Sequence, residues 1–172
     1  YQHARDRGAA IYAEVVGGAL TADAFHITAP HPEGLGAKNV MKQAIEEAKI
    51  EKSCIDYINV HGTSTPLGDI AEIKAIQSLF GDHAYSLNIS STKSMTGHLL
   101  GAAGVIEAIA CIMSVKNNIV PPTINHENYD PDIDKKLNLT LNKAQNRTVK
   151  YALSNTFGFG GHNASILFKK HE

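Results

Sequence analysis

Two histidines in unusual settings are the residues of this sequence best suited to chemistry. His61 opens the segment 61–69 (HGTSTPLGD), and His98 lies within the segment 93–104 (KSMTGHLLGAAG). Each follows a short apolar stretch that predicts a strand, and open α/β sheets bind ligands beyond the carboxyl ends of their strands. We therefore predict that the two imidazoles share one cleft, where a neutral imidazole can donate an N–H to an oxygen that gains negative charge.

The surroundings of His98 favour its neutral form. We expect this residue to open a helix that begins at Leu100, and the positive end of a helix macrodipole disfavours imidazolium. Lys93 lies only five residues before it, and a nearby ammonium acts in the same direction. A single histidine in a turn is more often structural, but two in these settings favour function. We expect His61 to act on the same oxygen as His98.

A glycine-rich loop is the third candidate for a functional segment. The segment 155–161 (NTFGFGG) has glycines on both sides of Phe159, which lets backbone N–H groups approach a ligand closely. A plain hairpin turn would need fewer glycines and would not expose an aromatic ring. We therefore interpret the loop as a gate or an oxyanion hole.

Alternating helix and strand patterns must position these residues. Helical periodicity predicts two amphipathic helices and, after them, an apolar helix buried on nearly every face; they cover residues 40–48, 66–80 and 100–116. Strands are predicted over residues 11–16 (ending at Gly17), 55–60, 87–89, 137–141, 151–155 and 164–168. This order predicts an α/β fold, a three-layer α/β/α sandwich with a mixed sheet of about five strands.

The composition excludes several classes of protein. With 172 residues, of which 43% are apolar, the chain is long enough for one domain over residues 1–172. A net charge of −1 gives no electrostatic basis for binding nucleic acid or an anionic membrane, and the longest apolar run, residues 105–115, is too short to span a bilayer. The histidines show no metal-ligand spacing, so no metal site is predicted.

In this order, the three segments resemble the carboxyl-terminal half of the β-ketoacyl-acyl carrier protein synthases, the condensing enzymes of fatty acid synthesis. The resemblance runs from Gly8 to Phe168 and implies a thiolase-like fold of two similar halves, of which this chain would be the second. It implies an acyltransferase of the elongating, synthase II type, which joins an acyl thioester to malonyl-acyl carrier protein with loss of carbon dioxide. It implies no cofactor, because phosphopantetheine arrives on the carrier protein.

The resemblance assigns catalytic roles to His61, His98 and Lys93. In condensing enzymes of this kind, the two histidines polarise the malonyl thioester carbonyl while carbon dioxide leaves. The division of labour between them stays open, as does the question of whether either acts as a general base toward water.

The resemblance also implies a buried polar network behind the histidines. Its members would be Asp69, Glu72, Lys93 and Glu107. Glu107 interrupts an otherwise apolar helix and needs a partner there, which favours its pairing with Lys93. For Asp69 and Glu72, ordinary surface charge on a helix remains an equal alternative.

Substrate-binding and gating roles are implied for a further set of residues. They are Thr28, Thr63, Thr65, Gly158, Phe159 and Gly160. The two threonines of segment 61–69 would bond the phosphopantetheine arm, and Thr28 would line the same entrance. The N–H of Phe159 would help to hold the acyl thioester oxygen, and its ring would cover the nucleophile until an acyl chain enters. His162 stands where many relatives have threonine; we interpret this as a peripheral variation.

The nucleophile of such a condensation is missing from this sequence. Cys54 lies in a connecting turn and Cys111 in an apolar helical run, so neither is predicted to be reactive. The resemblance places the cysteine and much of a homodimer interface in the amino-terminal half. The chain shows neither a signal peptide nor an initiator methionine, so we expect a piece of a longer protein, inactive alone. Two cysteines are too few for a disulfide framework and indicate the cytoplasm.

Two other functions remain open. A polyketide ketosynthase carries the same motifs, although no pattern after Phe168 indicates a fused module. A non-catalytic subunit such as a chain-length factor keeps the fold without the catalytic cysteine, but retention of both histidines disfavours it. Thiolases would carry a second cysteine near the end of this half, and initiating condensing enzymes would replace one histidine with asparagine, so both are disfavoured.

Overall fold

A mixed sheet of five strands lies at the centre of the fold. The computed structural model describes residues 1–171, and the sheet has the spatial order β1-β7-β6-β2-β3. All strands, including the separate β4-β5 ribbon, are β1 (Glu14–Ala22), β2 (Tyr57–Asn59), β3 (Asn88–Ser90), β4 (Ile119–Val120), β5 (Gln145–Asn146), β6 (Tyr151–Gly158) and β7 (His162–Lys169). β2 is parallel to β3 and β6, whereas β7 is antiparallel to β6 and β1.

Helices cover both faces of this sheet. They are α1 (Gln2–Asp6), α2 (Leu35–Glu47), α3 (Pro66–Phe80), α4 (Lys93–Thr96) and α5 (Ala103–Asn117), with 3-10 segments at Lys52–Cys54, Gly81–Ser86 and Leu100–Ala102. α2 and α3 pack on one face, in a core that contains Met41, Ile76 and Leu153. α5 packs on the other face with Tyr57 and Phe168. These layers confirm the predicted α/β/α sandwich.

The two amphipathic helices form where the sequence predicts them. Val40, Met41 and Ala44 recur on one side of α2 and are fully buried. Pro66 occupies the first turn of α3, where its missing N–H has no partner to lose. Gly81 ends that helix with a φ of 59°, a conformation that glycine adopts without steric cost.

α5 differs from the prediction in its start and in its burial. The helix begins at Ala103, after the 3-10 turn Leu100–Ala102. Only its sheet-facing side is covered, and Val105 and Ile109 remain 62% and 49% exposed. The prediction of burial on nearly every face is wrong. An apolar composition shows that a helix surface favours burial, but it does not show that residues of this chain cover that surface.

The helical segment Leu100–Asn117 is, by length and composition, long and apolar enough to cross a membrane, and it exceeds the run of residues 105–115 noted in the sequence. A buried core helix can satisfy the same criterion. Glu107 in this segment is buried and forms an ion pair with Lys93. In this structure the segment serves as the covering helix of one sheet face.

The first strand continues beyond the predicted end at Gly17. β1 runs through Gly17 and Gly18 to Ala22 and pairs with β7 along its length, with a bulge between Val15 and Gly17. A Cβ atom on Gly17 would lie 2.3 Å from the carbonyl oxygen of Ala44. The glycine is therefore needed for close approach of α2 to the strand, not for a turn.

The strand predicted over residues 137–141 is wrong. This segment forms only isolated bridges, between Asn88 and Asn138 and between Thr123 and Leu141. The side chain of Asn138 exchanges hydrogen bonds of 2.8 and 3.0 Å with that of Gln145. Side-chain bonds thus hold a segment whose alternating pattern imitates a strand.

Parallel pairing brings the candidate segments to one edge of the sheet. β2, β3 and β6 run in the same direction, so their carboxyl ends meet. The chain leaves β2 toward His61, β3 toward Lys93 and β6 toward Phe159. Three segments that are far apart in the sequence therefore converge where open α/β sheets bind ligands.

Candidate active site

The structure brings the two candidate histidines together. The ring centroids of His61 and His98 lie 5.6 Å apart, with the rings nearly perpendicular. His61 follows the end of β2, and His98 lies in the loop between α4 and the 3-10 turn that precedes α5. The predicted shared cleft is therefore present.

One ring nitrogen of His98 has a fixed role. The backbone N–H of Leu100 donates to His98 Nδ1 at 3.1 Å, so that nitrogen accepts and the proton of the neutral ring lies on Nε2. Because α5 begins only at Ala103, His98 is not in its first turn. The expectation that His98 opens a helix is wrong, and a local hydrogen bond, not the macrodipole, selects its tautomer.

His61 is held neutral by its surroundings. Burial lowers the pKa of His61 to about 3, and the charges of Lys93 and His98 act in the same direction. Its ring lies 5.5 Å from that of Phe157, and its Nδ1 is buried without a hydrogen-bond partner among residues 1–171. At neutral pH the ring is thus an uncharged imidazole that can donate one hydrogen bond and accept another.

Glu72 holds the backbone that carries His61. Its carboxylate accepts the N–H groups of His61 and Gly62, both at 3.0 Å, and the side-chain amide of Asn155 at 3.0 Å. The side chain is buried, and this burial raises the pKa of Glu72 to about 7 although the three N–H donors oppose the increase. The surface-charge alternative for Glu72 is therefore excluded.

Lys93 and Glu107 form a buried ion pair. Both side chains are almost fully enclosed, and the ammonium donates directly to the carboxylate. Burial raises the pKa of Glu107, and the ammonium of Lys93 opposes that increase. Thr156 reaches the second carboxylate oxygen at 3.5 Å. The pairing predicted from the apolar surroundings of Glu107 is present.

Asp69 lies outside this buried pair. Its side chain is half-buried and accepts the backbone N–H of Ser64 at 3.2 Å. Burial raises the pKa of Asp69, and backbone N–H groups of the same turn oppose that shift. Asp69 therefore fastens the loop that carries Thr63 and Thr65 to the start of α3, rather than facing bulk solvent.

The glycine-rich loop is the turn of a β-hairpin. β6 ends at Gly158 and β7 begins at its partner His162, which leaves Phe159, Gly160 and Gly161 as the turn. The expectation that this segment differs from a hairpin turn is wrong for its backbone. Gly160 and Gly161 have φ angles of 85° and 78°, which favour glycine. The ring of Phe159 is 79% exposed.

The turn is joined to the loop that carries Thr28. Gly160 N donates to the carbonyl of Ile27 at 2.6 Å, and Asp23 N donates to the carbonyl of Gly161 at 2.9 Å. The side chain of Asn163 donates to Asp23 at 2.7 Å. The two loops therefore form one wall.

A cavity of about 990 Å³ connects the histidines with the predicted substrate residues. Its lining includes His61, His98, Thr28, Thr63, Thr65, Gly158 and Phe159. The hydroxyls of the two threonines of segment 61–69 lie 3.3 Å apart, where they can serve one polar ligand. Gly160 is not part of the lining. A cavity of this size is within the range of small-molecule sites.

The two cysteines lie away from this cavity. Cys111 belongs to α5 and is fully buried, and burial raises the pKa of its thiol far above the usual range. Cys54 is exposed on the 3-10 segment Lys52–Cys54. Neither residue lines the cavity, in agreement with the prediction that neither is the nucleophile.

Sequence reasoning missed the support that Asn155 provides. This side chain is fully buried in β6, donates to Glu72 and accepts the hydroxyl of Ser165. Asp23 and Asn163, which join the two loops, were missed as well. The available signal was a polar residue within a strand whose other residues are buried, because such a residue needs partners.

Comparison with known proteins identifies the family. The sequence profile described as "Beta-ketoacyl synthase, C-terminal domain" matches residues 12–127. The 3-oxoacyl-[acyl-carrier-protein] synthase 2 of Staphylococcus aureus (strain COL) is 53% identical over 171 residues, which are 99% of this chain and 41% of that protein. The chain thus spans 41% of the length of this curated relative.

Solved structures give the same result. A beta-ketoacyl synthase from Burkholderia phymatum STM815 is 40% identical with a TM-score of 0.92, over 100% of this chain and 41% of the other. The structure of a type II PKS acyl-carrier protein in complex with its ketosynthase bound to the hexaketide gives 37% identity and a TM-score of 0.95, over 99% and 41%. These matches confirm the resemblance seen in the three motifs. The chain belongs to the beta-ketoacyl synthase family and carries that family's carboxyl-terminal domain.

Proposed function

We propose that the full-length protein containing this chain is a 3-oxoacyl-acyl carrier protein synthase of the synthase II type. It is an acyltransferase of fatty acid elongation. The observation that carries the proposal is the pair of imidazoles, with ring centroids 5.6 Å apart, in a cavity that two threonines also line. The 53% identity to a 3-oxoacyl-[acyl-carrier-protein] synthase 2 across 99% of the chain supports it.

The chemistry of this chain is the decarboxylation of the malonyl group. The bond between the carboxylate carbon and the methylene carbon breaks, its electron pair moves into the thioester as an enolate, and carbon dioxide leaves. The Nε2–H of His98 and an N–H of His61 hold the enolate oxygen. Imidazole N–H groups in a preorganised position lower the energy of this developing charge. Burial keeps His61 neutral, and the charge of Lys93 acts in the same direction.

The second step needs the other half of the protein. The enolate carbon attacks an acyl group held as a thioester on a cysteine, and the thiolate leaves as the 3-oxoacyl product forms. That cysteine lies outside this chain, since Cys54 and Cys111 are away from the cavity. The chain alone is therefore inactive in condensation.

Substrate delivery uses the two walls of the cavity. Thr63 and Thr65 bond the phosphopantetheine arm of an acyl carrier protein, Thr28 lines the entrance, and Phe159 gates it between Gly158 and Gly160. The complex of a ketosynthase with its acyl-carrier protein, to which this chain is similar, supports this partner. No cofactor, metal, nucleic acid or membrane takes part, and the full-length protein is a cytoplasmic homodimer whose amino-terminal half covers the exposed side of α5.

A polyketide ketosynthase is the second candidate. The TM-score of 0.95 to the ketosynthase bound to the hexaketide favours it, but the identity there is 37%, against 53% to the fatty acid enzyme. A chain-length factor is disfavoured because both histidines are present and the buried carboxylate of Glu72 holds the backbone of His61.

The test is an assay of the full-length protein with acyl- and malonyl-loaded acyl carrier protein. We expect an acyl-enzyme thioester and one 3-oxoacyl product per condensation, and no product from the purified chain alone. Decarboxylation without an acyl-enzyme would indicate a subunit that lacks the nucleophile. Repeated condensation without reduction would indicate a polyketide enzyme, and product from the chain alone would contradict the placement of the cysteine elsewhere.

A further inference from the structure

A second cavity lies against the segment 62–66 and reaches His98. Its volume is about 650 Å³, and the proposed reaction does not use it. Its walls are the ends of β2 and β3, the helix α4 and the segment 123–141. Polar side chains on these walls include Ser91, Lys93, Ser94, Asn125, Asn128 and Tyr129.

The two cavities meet at the reacting end of the site. Seven residues line both of them, and these form a partition that the two spaces share: Gly62, Thr63, Thr65, Pro66, Asp69, Glu72 and His98. At Gly62 this partition has no side chain, and a Cβ atom there would lie 2.8 Å from the Cβ of Ser91. His98, whose Nε2–H holds the enolate oxygen in the proposed function, is therefore reached from both sides.

The proposed reaction requires an exit for its by-product. When the malonyl carbon–carbon bond breaks in the proposed reaction, the phosphopantetheine arm beside Thr63 and Thr65 and the acyl chain fill the larger cavity. Carbon dioxide is released next to His98 and cannot leave through this filled channel. A separate opening at the same histidine removes that obstacle.

We propose that the second cavity is a hydrated passage through which carbon dioxide leaves and water enters. This inference rests on the proposed function. The volume corresponds to roughly twenty water molecules at bulk density, far more than one carbon dioxide needs, and the mixed walls have polar groups that water can bond.

The charges around the passage favour an uncharged molecule over an anion. Asp130 lines this cavity and not the larger one, and its carboxylate disfavours the entry of an anion such as bicarbonate. Lys93, the lysine on these walls, donates to Glu107 and is not free to hold an anion. The cavity therefore suits uncharged carbon dioxide and water better than an anionic ligand.

Plugging the passage in the full-length protein tests this proposal. Asn128 is exposed and lines the cavity, whereas its neighbour Glu127 is exposed and does not. We expect Asn128→Trp to slow malonyl decarboxylation by roughly tenfold, because egress becomes rate-limiting, and to leave acyl transfer to the cysteine unchanged. Glu127→Trp is the matched control. Ile133→Trp, deeper in the cavity, makes the result independent of the orientation of one side chain.

The outcomes separate this proposal from the proposed function. If wild type decarboxylates malonyl-acyl carrier protein and both plugs match Glu127→Trp, the passage is refuted and the function stands. If wild type neither decarboxylates nor accepts an acyl group, the proposed function itself fails. Loss of acyl transfer together with decarboxylation in both plugged variants would show that the segment 123–141 supports the whole site, and would also overturn the passage.

Discussion

The buried carboxylate of Glu72 allows a sharp test of how the site is supported. We consider Glu72→Gln in the full-length protein, which keeps the side-chain volume but replaces one acceptor oxygen by an NH₂ group. Both oxygens of Glu72 accept N–H groups, one from His61 and Asn155 and the other from Gly62. In either orientation the glutamine therefore leaves at least one buried N–H facing a donor. An unsatisfied buried group costs about 1–3 kcal/mol.

The pH dependence of this loss has a definite sign. Burial raises the pKa of Glu72 from 4.5 to about 7 in the folded state. Protonation therefore stabilises the folded wild type: the contribution is complete below pH 4.5 and is lost as the pH rises through 7. Each pKa unit corresponds to about 1.4 kcal/mol, so wild type loses roughly 2–3 kcal/mol between pH 5 and pH 8. Glutamine does not titrate, so the deficit of the variant shrinks over that interval.

Urea unfolding at pH 5 and pH 8 measures the effect. We expect the free energy of unfolding of Glu72→Gln, measured relative to wild type, to rise by roughly 2–3 kcal/mol from pH 5 to pH 8. Glu46→Gln, which removes an exposed carboxylate on α2, is the control for losing one negative charge. A deficit of Glu72→Gln that stays constant or grows with pH would refute the argument that burial outweighs the three N–H donors.

Two further predictions concern the ion pair and the gate. Lys93→Met leaves Glu107 buried without its partner and should lower the free energy of unfolding, measured by denaturant titration, by about 3–5 kcal/mol. The double variant with Glu107→Gln should recover most of this loss, and a double variant as unstable as Lys93→Met would contradict the pairing. Phe159→Ala should make the cysteine of the full-length enzyme more reactive toward small alkylating reagents, while Phe25→Ala on the adjoining loop should not; equal rates in both variants would mean that the turn is not a gate.

The sequence predicts the helices of this fold better than its sheet edges. Val40, Met41 and Ala44 recur at helical spacing, and local periodicity is sufficient to place them on a buried face. The sequence wrongly predicts a strand end at Gly17. This glycine instead allows close contact with Ala44 of α2, and such a tertiary contact is not visible in a local pattern. The exposed Val105 of α5 shows the same limit, since its cover is not supplied by residues 1–171.

The candidate site was predictable in its principal residues and not in their support. His61 and His98 stand in unusual local patterns that point to them, whereas Thr63 and Thr65 are indicated by the resemblance to the condensing enzymes. Asn155 belongs to an ordinary strand, and only the fold shows that it bonds Glu72, which in turn bonds the backbone of His61. The tautomer of His98 depends on one N–H of Leu100, a contact that no pattern encodes.

The central claim is that this chain carries the decarboxylating half of a condensing site. The most direct measurement is the rate of malonyl decarboxylation by full-length His61→Ala and His98→Ala, beside acyl transfer to the cysteine, with exposed His3→Ala as control. Loss of one preorganised donor costs about 3–4 kcal/mol, on the order of a hundred- to a thousand-fold in rate. We expect that decrease in decarboxylation for both variants, with acyl transfer close to wild type. Near-normal decarboxylation in either variant would contradict the role assigned to that histidine.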